Sequence, residues 1–340
     1  MKFFSKIDNL PEKLPRHFLS EWLKPLFPTH RHSLYGLNTK DLEYCKNQSD
    51  ADFFLLPFTW NYYFDRGNIR DAMVLIEEYR QWNKPIYTWV GGDYSYRIPE
   101  GNFILFCHSG YQSIRRKNEH AYPVIIRDPL DYLNSAGIKI LPKEQKPKIG
   151  FCGLANKNLI DGSWRAGKNS MFKLMNSIMK PYLNLSHPIS GTGLRGEAIK
   201  LLSSSNDVIT NFLIRSKSGG QKINTEKNRL EFWENMLASP YILCIRGTGN
   251  YSARLYEALA LGRIPIFVNT DCILPLDEKI NWDQHCVIVN ETDLDSLDEI
   301  IMDFHNNLSS NGYCELQRAN RELWVNDLTF HGFFHSFSGD

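Results

Sequence analysis

Residues 246–268 read RGTGNYSARLYEALALGRIPIFV, and this stretch decides the fold class. It follows an apolar run at 241–245, which predicts a buried strand. Residues 252–261 carry apolar side chains at helical spacing and predict a helix, which Gly262 ends as a C-terminal cap. A second apolar run at 264–268 predicts the next strand. Strand, glycine loop, helix and strand in this order are typical of a parallel βαβ unit.

The start of the predicted helix is suited to binding an anion. A glycine-containing loop precedes it, and a helix N-terminus presents free N–H groups and the positive end of the helix dipole. Arg246 and Arg254 could add charge-assisted hydrogen bonds to a diphosphate, and Glu257 could accept both hydroxyls of a ribose. The pattern is also compatible with a purely structural βαβ unit, because the loop has neither the Lys-Ser/Thr of a P-loop nor G-x-G-x-x-G spacing.

The composition is that of a soluble globular protein. The chain has 340 residues, enough for two domains, of which 42% are hydrophobic and 23% charged. Its net charge of +1 gives no general attraction to nucleic acid or anionic lipid. The 7 cysteines include no C-x-x-C pair, which predicts reduced thiols and no zinc site.

Sequence features also give an expected location. The first residues lack the apolar core of a signal peptide, and no apolar run approaches the length of a membrane span. We therefore expect a cytoplasmic protein, with at most a peripheral contact at the inner face of the membrane.

The chain divides into two α/β halves. A polar, proline-bounded stretch at 141–148 indicates a linker, so we expect a first domain at 1–142, a second at 148–310, and a C-terminal helical segment at 311–340 that could pack back on the first domain. Apolar runs predict strands at 51–58, 85–90, 102–107, 123–126, 148–153, 207–214 and 286–289. Helical spacing predicts helices at 13–26, 71–82, 170–179, 225–238, 294–308 and 313–324. Alternating strands and helices imply largely parallel sheets, whose ligands gather at the carboxyl ends of the strands.

The βαβ stretch belongs to a wider set of motifs. The most specific block is Ser252-x-Arg254-x-x-Glu257-Ala258, followed by Gly262-x-Ile264-Pro265, Leu274-Pro275 and Trp282. This block resembles the exostosin family of glycosyltransferases. In the first half, residues 51–58 resemble the family's Ala-Asp-x-Phe-Phe-Val-Pro strand, 91–93 its Gly-Arg-Asp-His element, and 148–153 the start of its second domain.

The resemblance implies the GT-B fold, in which two Rossmann-like domains face each other across a cleft. The second domain would bind a nucleotide diphosphate sugar, and the first would bind the acceptor. Arg254 would contact the diphosphate and Glu257 the ribose, assisted by Ser252 and by the loop N–H groups around Gly247. Arg246 stands where the family usually has a proline, so its role is less defined.

The resemblance also implies an inverting transfer without a bound metal or other cofactor, the nucleotide sugar being a substrate. Asp293 and Asp295 lie at a predicted helix start, which favours capping over an Asp-x-Asp metal motif. Inversion needs a base that deprotonates the acceptor hydroxyl. Asp93 and then His108 are the candidates, because both follow first-domain strands. Tyr94 replaces the family's histidine, and Asp93 could equally cap a turn, while His108 could be structural.

These features favour a glycosyltransferase that moves a sugar from a nucleotide diphosphate donor to a glycan or lipid-linked acceptor, in surface polysaccharide synthesis. A non-catalytic sugar-nucleotide or glycan-binding module of the same fold is the alternative, since it would keep Arg254 and Glu257 without a base. A nicotinamide-dependent oxidoreductase is disfavoured by the missing glycine fingerprint.

Overall fold

The computed structural model describes residues 1–7, 18–26, 43–155, 182–184, 191–215 and 226–338. These residues form two compact units, each built on a parallel sheet. The first unit comprises the described parts of 1–122 together with 182–184 and 273–275, and the other described residues form the second. The predicted helix at 170–179 and the first part of the one at 13–26 lie outside the described residues.

The first unit contains a parallel sheet in the order β2-β1-β3-β4-β6-β7 and a small antiparallel pair, β5-β9. Its strands are β1 (Lys2–Phe4), β2 (Glu43–Tyr44), β3 (Phe53–Leu55), β4 (Ile86–Val90), β5 (Ser95–Tyr96), β6 (Ile104–Cys107), β7 (Glu119–Ala121) and, later in the chain, β9 (Leu183–Asn184). Its helices are α1 (Trp60–Arg66) and α2 (Ile69–Arg80), with 3₁₀ turns at Glu21–Leu26, Gln48–Asp50 and Gln112–Ile114.

The second unit contains a parallel sheet in the order β10-β8-β11-β12-β13. Its strands are β8 (Lys148–Leu154), β10 (Ile209–Arg215), β11 (Tyr241–Cys244), β12 (Ile264–Asn269) and β13 (Val287–Asn290). Its helices are α3 (Pro129–Tyr132), α4 (Gly191–Ser204), α5 (Glu226–Leu237), α6 (Ala253–Ala260), α7 (Leu297–Asn307), α8 (Ser310–Asp327) and α9 (Phe330–Ser338), with 3₁₀ turns at Trp282–Gln284 and Glu291–Ser296. The two units, each built on a parallel sheet, confirm the expected fold class, an α/β protein with the two Rossmann-like halves of the GT-B type.

Helix α2 holds the first sheet through one apolar face. Ala72, Ile76 and Tyr79 are buried and lie at i, i+4 and i+7, so they share that face. Tyr79 stacks on Phe54 of β3 with the ring centroids 4.7 Å apart. Because the strands of this sheet are parallel, the loops that follow β4 and β6 leave from the same edge.

The strand predicted at 123–126 is wrong, and β7 occupies its place in the sheet. Ala121 is the last residue of β7 in register with Cys107 of β6, and the Tyr122 N–H donates to the Cys107 carbonyl at 2.8 Å. Pro123 follows and has no N–H with which to extend the ladder.

The second sheet contains a change of direction at β8. From β8 the chain passes to β10 on one side, then returns to β11 on the other side. The β8–β10 ladder runs the full length of both strands, whereas Tyr241 and Ile242 of β11 pair only with Ile149 and Gly150, near the start of β8. The carboxyl ends of β8 and β11 therefore lie at a topological switch point, where α/β sheets bind ligands.

Helix α6 ends as the sequence predicts. Gly262 has φ +67°, and its N–H donates to the Leu259 carbonyl at 2.9 Å. The Arg263 N–H donates to the Ala258 carbonyl at 2.8 Å, which completes a Schellman motif. A Cβ at position 262 would also collide with the Gln317 carbonyl. Glycine is therefore required both for its positive φ and for this close approach.

The second unit begins after Tyr122 rather than at the predicted linker, 141–148, and it includes α8 and α9. Polar contacts explain this boundary. Arg321 of α8 donates to both carboxylate oxygens of Asp128, at 3.0 and 2.6 Å. Buried Arg263 donates to the Lys139 carbonyl at 2.9 Å, so residues on both sides of α3 are tied to this unit.

The buried His305 of α7 makes the stability of the second unit depend on pH. Its Nε2 lies 2.9 Å from the Glu144 carbonyl and must donate, so Nδ1 of the neutral ring accepts from the Tyr241 hydroxyl at 2.9 Å. Burial lowers the pKa of His305 below its usual range. The unfolded chain therefore takes up this proton first, and the stability contributed by the neutral ring is complete above about pH 6.5 and lost as the pH falls toward the folded pKa.

We expect the free energy of unfolding to fall more steeply between about pH 7.5 and 5.5 in the wild type than in His305→Gln. Denaturant titrations at the two pH values measure the difference. His335→Gln, which changes an exposed histidine of α9, is the matched control and should keep the wild-type slope. Equal slopes in the wild type and His305→Gln would contradict the assignment.

Candidate functional site

Arg254 points from α6 into the carboxyl end of β8. Its Nη2 donates to the Cys152 carbonyl at 2.9 Å, and its guanidinium lies 4.6 Å from the ring centroid of Phe151. A Cβ at Gly153 would come within 2.8 Å of Nη2, so the strand needs glycine to admit the guanidinium. Among the described residues, Nε of Arg254 has no hydrogen-bond partner. The side chain is thus held in place while retaining donor capacity.

A second guanidinium, that of Arg195 on α4, spans the switch point. Its Nη2 donates to the Ile245 carbonyl at 3.0 Å, just after β11, and its Nη1 to the Leu154 carbonyl of β8 at 3.4 Å. A Cβ at Gly247 would lie 3.7 Å from Nη2, which places Arg195 beside the glycine loop. Sequence reasoning missed this residue, although a helix at this point was required to connect β8 with β10.

The glycine loop packs directly on the start of α4. A Cβ at Gly191 would collide with the carbonyl oxygens of Arg246 and Gly247. The side chain of Arg246 is only 4% exposed, and its Nη1 donates to the Gly247 carbonyl at 3.2 Å. Close backbone contact therefore brings Arg246 into the same neighbourhood as Arg195.

The three arginines form a concentration of positive charge, called here the arginine cluster (Arg195, Arg246 and Arg254). Burial lowers the pKa of Arg195 to about 10, and the charges of Arg254 and Arg246 push it in the same direction. No carboxylate lies within ion-pair distance of Arg195 or Arg254 in the part of the chain that the structure describes. An anion between these groups would relieve their mutual repulsion, and guanidinium forks suit phosphate oxygens.

Glu257 lies one turn along α6 from Arg254 and is half-buried. Burial raises the pKa of its carboxyl to about 7, while Arg254 acts in the opposite direction. Near neutral pH the group is therefore divided between its ionised and protonated forms. The ionised form accepts hydrogen bonds from hydroxyl groups, whereas the protonated form can also donate one.

Ser252 occupies the N-cap position of α6 without capping it by its side chain. Ser252 is 4% exposed, and its backbone carbonyl accepts a hydrogen bond from the Leu255 N–H at 3.1 Å. The first amide N–H groups of α6 thus donate no hydrogen bond to the Ser252 hydroxyl. The structure brings Arg246, Gly247, Ser252, Arg254 and Glu257 together at one loop and helix, and their binding roles stay predictions.

The other two predicted site residues lie together in the first unit. Val90 of β4 is in register with Cys107 of β6, so Asp93 and His108 follow the ends of adjacent strands. Asp93 is exposed in a turn after Gly92, which has φ +80°. His108 is half-buried, and its Nδ1 lies 2.9 Å from the Tyr122 carbonyl.

The Tyr122 carbonyl can only accept, so Nδ1 of His108 carries the proton and Nε2 of the neutral ring is the basic nitrogen. Burial lowers the pKa of His108, and the negative charge of Glu21 is the strongest influence in the opposite direction. Glu21 itself pairs with Lys24 in the 3₁₀ turn. Sequence reasoning predicted only an α-helix at 13–26 and gave these two residues no role near His108.

The described ranges contain neither a metal-binding cluster nor a membrane-spanning helix. Within them, no group of three or more His, Cys, Asp and Glu side chains could hold a metal ion. Asp293 instead accepts from the side chains of Asn290 and Thr292, each at 3.1 Å. None of the helices in those ranges is long and apolar enough to cross a membrane.

Comparison with known proteins gives partial matches. Residues 183–304 match the Exostosin GT47 domain. The chain is 39% identical over 70 residues to a protein of Oryza sativa subsp. japonica named "Probable glucuronosyltransferase", a stretch that is 21% of this chain and 16% of the relative. It is 36% identical over 70 residues, 21% of this chain and 17% of the relative, to the Arabidopsis thaliana protein named "Probable beta-1,4-xylosyltransferase IRX10".

A further Arabidopsis thaliana protein, named "Probable glycosyltransferase At3g07620", is 28% identical over 98 residues, which are 29% of this chain and 21% of that protein. The matched stretches thus span between 16% and 21% of the length of these three relatives. The domain match includes Arg195, Arg246, Arg254 and Glu257 and leaves out most of the first unit. The resemblance predicted from the sequence is confirmed, because residues 183–304 match the Exostosin GT47 domain.

Proposed function

We propose that the protein is a glycosyltransferase that moves a sugar from a nucleotide diphosphate donor to a glycan or lipid-linked acceptor. The observation that carries this proposal is the arginine cluster at the switch point of the second sheet, inside the region that matches the GT47 domain. The names of the relatives, glucuronosyl- and xylosyltransferases, support sugar transfer.

The arginine cluster would bind the donor through its diphosphate. Arg195 and Arg254 are oriented by strand-end carbonyls, so little side-chain ordering remains to be done when the anion arrives. The first amides of α6 add the positive end of the helix dipole. As the sugar leaves, negative charge grows on the nucleoside diphosphate, and the same groups stabilise it in the transition state.

Charge neutralisation by arginine would replace that of a divalent cation, and we propose a metal-independent, inverting reaction. Inversion requires a base for the acceptor hydroxyl. His108 suits this role, since its Nε2 is basic and nearby acidic groups would stabilise the imidazolium that forms. Asp93, exposed beside it, is the second candidate.

The proposed biological setting is surface polysaccharide synthesis, in the cytoplasm or in peripheral contact with a membrane that holds a lipid-linked acceptor. A net charge of only +1 does not favour nucleic acid as a partner. The alternative is a non-catalytic module that binds a sugar nucleotide or glycan through the same arginine cluster. Turnover of a bound nucleotide sugar separates the two, because only the enzyme releases nucleoside diphosphate when an acceptor is supplied.

Removing one guanidinium should weaken nucleotide binding strongly. We expect Arg195→Met and Arg254→Met each to raise the Kd for a nucleoside diphosphate about tenfold to a hundredfold, because each loses charge-assisted hydrogen bonds. Titration calorimetry with uridine, guanosine and adenosine diphosphates measures this. Arg318→Met, which changes an exposed arginine of α8, is the matched control and should bind like the wild type. Unchanged binding by both cluster variants would place the anion site elsewhere.

Nucleoside diphosphate binding should weaken as the pH falls below about 7. The pKa of Glu257 is about 7, so acidification removes the carboxylate that would accept the ribose hydroxyls. The Kd should rise by several-fold, at most about tenfold, between about pH 7.5 and 6. Glu257→Gln should show a flatter dependence of the Kd on pH. Because the ligand phosphate titrates equally with both proteins, the difference between the two profiles isolates the contribution of the carboxylate. A wild-type affinity that increases on acidification would mean that the carboxylate repels the diphosphate.

Removal of the catalytic base should lower turnover without weakening nucleotide binding. We expect His108→Gln to lower kcat about a hundredfold or more while leaving the Kd for nucleoside diphosphate unchanged, and Asp93→Asn to act less. Transfer to an acceptor is measured across the pH range in which imidazole titrates. His335→Gln is the control for loss of a histidine outside the site. Full activity in both His108→Gln and Asp93→Asn would exclude these two residues as the base.

A further inference from the structure

Two buried polar side chains join the glycine loop to the loop that follows β12. Asn250 is 1% exposed and Thr270 2% exposed. The Thr270 hydroxyl donates to Oδ1 of Asn250 at 2.6 Å, and Nδ2 of Asn250 donates to the Asp271 carbonyl at 3.2 Å. The side-chain amide therefore uses both its acceptor and its donor. We call this arrangement the Asn250 clasp (Asn250, Thr270 and Asp271).

The backbone around the clasp is arranged to receive it. Asp271 has φ +63°, in the left-handed region that Asp tolerates better than most residues. Cys272 adds two bonds: its N–H donates to Oδ1 of Asn269 at 2.9 Å, and its Sγ donates to the Asn250 carbonyl at 2.9 Å. The loop after β12 thus presents a carbonyl, a hydroxyl and a thiol to one buried asparagine.

The Asn250 clasp completes the support of the glycine loop. On one side of the loop, Gly247 packs on Gly191 at the start of α4, and the Ile245 carbonyl accepts from Arg195. On the other side, the clasp ties Asn250 to the end of β12. Thr248, between the two supports, is exposed. The segment available to a ligand is therefore short and held at both ends.

We propose that Asn250 is a positioning residue, which acts through Thr270 to keep the glycine loop in the conformation that binds the diphosphate of the proposed nucleotide sugar donor. Sequence reasoning gave Asn250 no role, because its partners are about 20 residues away in the chain. A loop ordered before binding loses less conformational freedom when the ligand arrives, so the clasp increases affinity without touching the ligand.

Thr270→Val tests this inference, since it removes the hydroxyl and nearly keeps the shape. We expect the Kd for uridine diphosphate, or whichever nucleoside diphosphate the wild type binds best, to rise about fivefold to tenfold. Thr270→Ser restores a hydroxyl and should return most of the affinity. Tyr241→Phe is the matched control, because it also removes one buried hydroxyl hydrogen bond in the second unit, to His305. It should lower thermal stability to a similar extent and leave the Kd unchanged.

Hydrogen–deuterium exchange in the unliganded protein gives a second readout. Amides of 246–251 should exchange faster in Thr270→Val than in the wild type or Tyr241→Phe. Unchanged exchange there overturns the inference, as does an equal loss of affinity in Thr270→Val and Tyr241→Phe, which would reflect general destabilisation. If the wild type binds no nucleoside diphosphate, the proposed function fails, while the exchange result still decides whether the clasp orders the loop.

Discussion

The candidate site of the second unit depends on two guanidinium groups that are held at the ends of strands with no carboxylate in ion-pair distance among the described residues. Arg195 and Arg254 are kept in place by backbone carbonyls, those of Cys152, Leu154 and Ile245, rather than by carboxylates. Carbonyl dipoles orient a guanidinium without neutralising it, so its charge remains available to a ligand. A carboxylate partner would hold the side chains equally well but would compete with a phosphate.

Such an arrangement demands a particular backbone. The strand-end carbonyls are accessible because β8 and β11 pair only near their starts. Gly153 and Gly191 remove the side chains that would otherwise occupy the space of Arg254 and of the glycine loop. At its far end, α6 is anchored by the Schellman motif at Gly262. Gly153, Gly191 and the short β8–β11 ladder thus leave the space that the arginine cluster occupies at the switch point.

Features that depend on residues close together in the sequence could be predicted, whereas features that depend on distant residues could not. The stretch 246–268 was predicted well, because strand, loop, helix and cap each have short-range signals. Arg195 was missed, since its role depends on the pairing of β8 with β11, about 90 residues apart in the chain. The boundary after Tyr122 was missed for the same reason: the contact of Asp128 with Arg321 leaves no local trace. The false strand at 123–126 shows the opposite error, in which apolar composition outweighed a proline that cannot extend the ladder.

Nearly all of the region that matches the GT47 domain lies in the second unit. The GT47 match spans 183–304 and so contains the whole arginine cluster, whereas Asp93 and His108 lie outside it. A nucleoside diphosphate presents the same phosphates whichever sugar it carries. Donor binding therefore limits which residue types can stand at the positions that contact it. Acceptors differ in shape from one polysaccharide to another, and the groups that receive them are freer to change. Under the proposed function, the first unit would therefore determine which acceptor is used, while the arginine cluster would bind the donor.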